Sequence, residues 1–298
     1  MARFLNPFRL LSGEARAEHV AAYEGWLAKR DGDYDLDART LHIREPRMAA
    51  LEAERVEWRG EIDASAFLAA MRNERGVALD LRGEWLVAAA KASEGERYGV
   101  EMELAHFRRD QFFAGFDSPE IVLRVLLQEA YHTRLLSELC RTCGVPFAPG
   151  RPNLGTRWFC ASMRLMPGWL RWTFVLAGEC VGAALFRQLH AKANAFSSQP
   201  AVQDRLRRIL HEILIDEVLH IAFLRAHLGP LGIGVARLLL PITAFGVLRE
   251  VPTLRHLGCT PGGLLRDLAR GVEIPSELGW LTHDHETEEF SSLVPAGA

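Results

Sequence analysis

Two short patterns in the sequence have the residue types and spacing for metal chemistry. Glu129-Ala-Tyr-His132 lies within IVLRVLLQEAYHTRLLSEL, and Glu217-Val-Leu-His220 lies within ILHEILIDEVLHIAFLRAHL. A spacing of three residues sets a carboxylate and an imidazole one turn apart on one helix face, where a single metal ion reaches both. The Leu, Ile, Val and Phe residues around them bury most of each helix, so the polar pair points inward. One such motif fits an ordinary buried Glu–His hydrogen bond. Two of them, in separate helical stretches, predict a pair of metal ions with one motif for each.

A dimetal site on four helices also needs one carboxylate from each of the other two. Glu179 is the single acid in WLRWTFVLAGECVGAALF. An unpaired carboxylate costs several kcal/mol to bury, and a metal ion offsets that cost. The stretch RYGVEMELAHF offers both Glu101 and Glu103, with Glu94 and Glu96 just upstream. Glu101 and Glu103 differ by about 200° around a helix, so only one of the two faces the metals. Hard carboxylates suit two cations, while one imidazole apiece leaves coordination positions open; the ligand set admits iron, manganese or a mixed pair.

These ligands require helices to carry them. Period-two alternation is scarce, and Ala, Leu, Arg and Glu fill long unbroken stretches, which predicts an all-α fold. Helices are expected at 14–30, 46–58 and 63–74, then four long ones at about 83–113, 119–142, 168–195 and 200–228. Gly115 suits a helix stop, Ser118-Pro119 a cap and first position, and SSQP and Gly229-Pro230 suit breaks. The chain divides into an N-terminal helical extension (1–82), a four-helix bundle (83–229) and a C-terminal helical extension and tail (230–298). Counting outward from a first-hairpin turn near 117 puts residues 103–104 opposite the first motif.

Composition excludes several functions. A net charge of −3 over 298 residues, with no basic stripe, offers nothing to nucleic acid. The N-terminus lacks the apolar run and cleavage site of a signal peptide, so a cytoplasmic location is expected. The apolar stretch Leu228–Leu248 is broken by Arg237, Pro230, Pro241 and glycines. It reads as buried or interfacial helix, with no membrane span. Five cysteines argue against a disulfide framework, and Cys140-x-x-Cys143 reads as two thiols near a helix end. His283-Asp284-His285 reads as a solvated tail.

EAYH at 129–132, DEVLH at 216–220 and the isolated Glu179 resemble the ferritin-like diiron-carboxylate proteins, and among them most the p-aminobenzoate N-oxygenase type. The resemblance covers roughly residues 84–228. It implies two iron ions, an electron donor, dioxygen and a small organic substrate, with a role as an oxygenase or oxidase in natural-product pathways. A homodimer is compatible with it, and a non-catalytic metal-binding or iron-storage protein is the alternative. The N-oxygenases carry an extra histidine one turn before the last motif's Glu, where this chain has Ile213, and His211 falls on a different face. The implied set is therefore six ligands: Glu101, Glu129, His132, Glu179, Glu217 and His220. Glu101 is taken over Glu103 because ferritin-like sites set this acid slightly further from the turn. Asp216 is expected, again by resemblance, to hydrogen-bond a ligating histidine.

Overall fold

The computed structural model describes residues 3–74, 76–107, 119–147, 150–163 and 165–281. The connection at 108–118 and the His283-Asp284-His285 tail lie outside them. Helix makes up 72% of the structure, and the strands among the described residues are only two or three residues long, as an all-α reading requires.

Three helices lead in: α1 (Gly13–Arg30), α2 (Arg44–Ala53) and α3 (Ala64–Met71). The long helices follow as α4 (Leu81–Phe107) and α5 (Pro119–Thr142), then, after the short α6 (Leu154–Met163), as α7 (Gly168–Lys192) and α8 (Pro200–His227). The C-terminal region adds α9 (Pro230–Glu250), α10 (Thr253–His256) and α11 (Pro261–Ala269). Starts are fixed by side chains that accept the free N–H groups of the first turn. Ser12 caps α1, Asp63 caps α3 and Thr260 caps α11, while proline opens α8, α9 and α11. Asp80 accepts from the Gly83 amide, so α4 begins two residues earlier than expected.

Helix α4 packs on α5 and α7 on α8, while α5 meets α8 and α4 meets α7, so the four long helices enclose one interior. Helix α7 buries small residues such as Ala177, Ala183 and Ala184, and Gly182 brings it close to Glu217 of α8. Between α1 and α2 lies a small hairpin, β2 (Tyr34–Asp35) against β3 (Thr40–Leu41). A second ladder joins distant parts of the chain: β1 (Arg3–Leu5) runs antiparallel to β4 (Val272–Ile274).

The N-terminal helices are fastened to the long ones by buried arginines. Arg205 of α8 is fully buried; it donates to Glu54 and the Leu51 carbonyl at the end of α2, and to Thr142 and Glu138 of α5. Removing one partner from a buried ionic cluster leaves its acceptors desolvated and unpaired. Arg205→Met should therefore lower the unfolding free energy by about 3–5 kcal/mol, read from urea denaturation; a loss below about 1 kcal/mol would mean that the cluster does not hold α2 in place.

Candidate metal centre

The interior of the four long helices holds a cluster of acids and histidines. Ligand atoms of Glu96, Glu129, His132 and Glu217 all lie within 4.8 Å of one another, and so do those of Glu129, Glu179, Glu217 and His220. Glu129 and Glu217 belong to both groups. The arrangement is that of two adjacent cation sites: Glu96 and His132 border one, Glu179 and His220 the other, and two carboxylates lie between. Each long helix contributes, with Glu96 on α4, Glu129 and His132 on α5, Glu179 on α7, and Glu217 and His220 on α8.

Five of the six residues expected from the sequence meet here. Glu101 does not. It is partly exposed and accepts from Arg97 one turn back, at 2.9 Å. Glu96 stands in its place, and helix geometry explains the correction. Five residues turn a helix by about 140°, so Glu101 and Glu96 cannot share a face, whereas Glu103, seven residues on, lies above Glu96 but two turns away. Glu103 sits instead beside α6, where burial and then its carboxylate push the Cys160 thiol up to about 11. Glu94 is already engaged in a buried pair with Lys91, at 3.0 Å. The hairpin count from 117 led to 103–104, whereas the acid that meets the Glu129 motif is Glu96; the connection itself lies outside the described residues. His211 is likewise remote, half-exposed and 2.9 Å from Glu277, and Ile213 is fully buried in the core.

Both histidines present Nδ1 to the cluster. His132 Nδ1 lies 3.4 Å from Glu129 and 3.6 Å from Glu217, and His220 Nδ1 lies 2.9 Å from Glu129 and 3.3 Å from Glu179. Their Nε2 atoms face different partners. His132 Nε2 is 3.1 Å from Asp216, as expected, whereas His220 Nε2 is 2.8 Å from the Gln128 carbonyl oxygen. Gln128 is held in that orientation because its amide donates to Asp31 at 2.8 Å. Each Nε2 therefore donates its proton outward, which leaves the Nδ1 lone pair for a cation.

Asp31 and Asp216 are themselves bridged by Arg44, at 2.5 Å to each, and Arg30 adds a contact of 3.2 Å to Asp216. The result is a buried chain of bonds from His132 through Asp216, Arg44, Asp31 and Gln128 to His220. Burial would raise the Asp216 carboxyl, but Arg44 and Arg30 hold it well below the usual range. In this outer layer two guanidiniums face two buried aspartates, and Arg30 also reaches the part-exposed Glu212, at 2.9 Å. Gln128, Asp31, Arg44 and Arg30 left no motif in the sequence, because Arg30, Asp31 and Arg44 come from the N-terminal extension.

The inner layer is not balanced. Among the described residues its four carboxylates have ion pairs only to the two histidines, and Glu96 Oε2 and His132 Nδ1 have no hydrogen-bond partner. Burial, and then Glu179 and Glu129, push the Glu217 carboxyl well up; burial and Glu129 do the same to Glu96. Burial would lower the histidines and raise Glu129. Their mutual attraction reverses both, taking His132 up to about 9, His220 up to about 10 and Glu129 down to about 2. Four carboxylates with two neutral imidazoles carry the charge that two divalent cations cancel. Without cations, protons supply it. Gly182 keeps the seam open, since a Cβ there would come within 3.1 Å of Glu217 Oε2.

No protein-family model, curated protein or solved structure matches the chain. The cluster is described by its own residues, which could hold metal ions. They also fix two expectations. Metal binding at pH 7.5 should release protons, because both imidazoles have raised values and hold protons there in the metal-free protein. Calorimetry in buffers of different ionisation enthalpy should show this release, together with affinity that rises with pH; loading without proton release would contradict the assignment. Glu96→Ala should abolish tight binding of a second ion, and Gln128→Leu should weaken binding about 10–100-fold, whereas Glu101→Ala leaves both sites intact by equilibrium dialysis. Equal loss in the Glu96 and Glu101 variants would reject the α4 assignment.

Proposed function

We propose that the chain is a ferritin-like diiron-carboxylate oxidoreductase, in which Glu96, Glu129, His132, Glu179, Glu217 and His220 hold two ferrous ions. The observation that carries this reading is the unbalanced inner layer: four carboxylates and two outward-donating histidines, arranged as two sites with two shared acids. When bound, ferrous ions supply electrons for the reduction of dioxygen, and a small organic substrate is oxidised. The protein's contribution is position and exclusion of water. His132, His220 and Glu217 are buried on the α5–α8 side, so their orientation is set before any ligand arrives.

The open side lies between α4 and α7. Glu96 and Glu179 are half-buried there, and an added Cβ at Gly95, Gly99 or Gly178 would meet nothing within 4 Å. These glycines flank the two half-buried acids and leave room for a substrate. One turn before Gly178, Phe174 packs edge-on against Phe159 of α6, with ring centroids 5.3 Å apart, so the approach is apolar. An apolar or aromatic substrate suits this route, with electrons from a separate donor.

Anaerobic reconstitution with excess Fe(II) should load two ions per chain, and admission of air should consume oxygen faster than the same iron in buffer. Glu217→Ala and Glu179→Ala should lose both iron and oxygen uptake while keeping their helical circular dichroism. A wild-type chain that holds no iron would end the proposal. One that holds iron without oxygen uptake would leave a metal-binding protein without oxidase chemistry. Gly178→Leu, filling the open side, should retain iron and oxygen uptake but lose substrate turnover.

A further inference from the structure

Among the described residues, the large apolar side chains left exposed are unevenly placed. All but Leu10, Ile43 and Leu81 lie on α6, on the turn and first residues leading into α7, or on α9. Trp158 is 70% exposed, Leu165 90%, Leu238 76% and Ile242 70%. Helix α9 buries Ala236, Leu240, Ala244 and Leu248 at four-residue spacing, a stripe laid along α7. Its opposite side carries Leu231, Leu238, Ile242 and Phe245. A helix apolar on both sides belongs where both sides are out of water, and only 33% of its most apolar stretch is buried.

The chain segments that build this face are one-sided in charge, although Arg171 and Arg225 are buried and Arg141 pairs with Glu138. From Leu139 to Gly178 the sequence has Arg141, Arg151, Arg157, Arg164 and Arg171 and no acid; from Val218 to Arg249 it again has arginines and no acid, although the chain as a whole is at −3. Arg151 and Arg249 are exposed and Arg157 is half-buried. Glu250, which closes α9, is occupied by the Asn153 amide and the Thr156 hydroxyl, at 2.9 and 3.1 Å. Trp158 and Trp169 flank the apolar surface, and indole rings favour the headgroup level of a bilayer, where one edge is wet and the other dry.

We propose that α6, the start of α7 and α9 form a docking face for the surface of a bilayer that contains anionic lipid. Helix α9 then lies in the plane of the interface rather than crossing it. Crossing would strip the Ala236–Leu248 stripe from α7, the helix that carries Glu179. Lying flat keeps that packing and puts Leu238, Ile242 and Phe245 among acyl chains, with arginines at the phosphates. Docking does not depend on the metal reading, because none of its residues is a ligand.

The test uses the full-length chain, metal-free and iron-loaded, sedimented with vesicles of phosphatidylcholine alone or mixed with phosphatidylglycerol. Both forms should bind the mixed vesicles, more weakly at high salt. Leu238→Glu with Ile242→Glu should reduce binding at least about tenfold with an unchanged melting temperature, since both side chains are exposed. Arg151→Gln with Arg249→Gln should weaken binding to the mixed vesicles only. Wild-type protein that stays in the supernatant with both vesicle types would overturn the proposal. Light scattering then names the occupant: a dimer dissolved by Leu238→Glu means a second copy of the chain, and a monomer means the chain covers its own face. Binding unaffected by the two glutamates would overturn it as well.

Discussion

The constraint that governs this protein is the burial of like charges. Four carboxylates in two overlapping groups, each with its ligand atoms within 4.8 Å of one another, repel and are poorly solvated inside an otherwise aliphatic interior. No packing of Leu and Val compensates for that; only cations do, protons or metal ions. The four long helices can close around this interior only with its charge neutralised. The close seam at Gly182 and the pairing of each histidine with an outward acceptor are compatible with cations seated among these acids. The protonated imidazoles of the metal-free state hold the place that metal ions would take.

Around that centre lies a second layer that is complete in itself. Arg30 and Arg44 neutralise Asp31 and Asp216; Arg44–Asp31 lies within the N-terminal extension, and the other contacts connect the extension to α5 or α8. The extension is thus part of the site rather than an appendage. It fixes how both imidazoles point, through a carboxylate on one side and an amide on the other. That difference makes the two cation positions chemically unequal: an imidazole bonded to Asp216 is the stronger donor, and one bonded to Gln128 the weaker.

Local chemistry was readable in the sequence; long-range register was not. Both Glu-x-x-His motifs and Glu179 announce themselves by being polar in apolar helices, Asp216 came by family resemblance, and the long helices follow from composition and from proline and glycine at their ends. The α4 acid needed knowledge of facing register across a hairpin, which the stop at Gly115 and the cap at Ser118-Pro119 do not supply. A two-turn comparison would have grouped Glu96 with Glu103 and set Glu101 aside, although the choice between the first two depends on what α6 covers. Gln128 sits directly beside the Glu129 motif yet carries no signal, because its role exists only once Asp31 is brought to it from 97 residues away. The β1–β4 ladder was equally invisible, being three residues long at each end.

That ladder bears on the order in which the molecule is made. Strand β1 leaves a ribosome well before its partner Val272–Ile274. Until then Leu5, fully buried in the finished structure, has no strand to cover it. Arg44 and Asp31 likewise wait for Asp216. The early helices emerge long before the segments that hold them, so the domain cannot consolidate piecemeal during synthesis. Its closure is a late, long-range event, of the kind that makes folding slow and leaves the nascent N-terminal segment in need of protection.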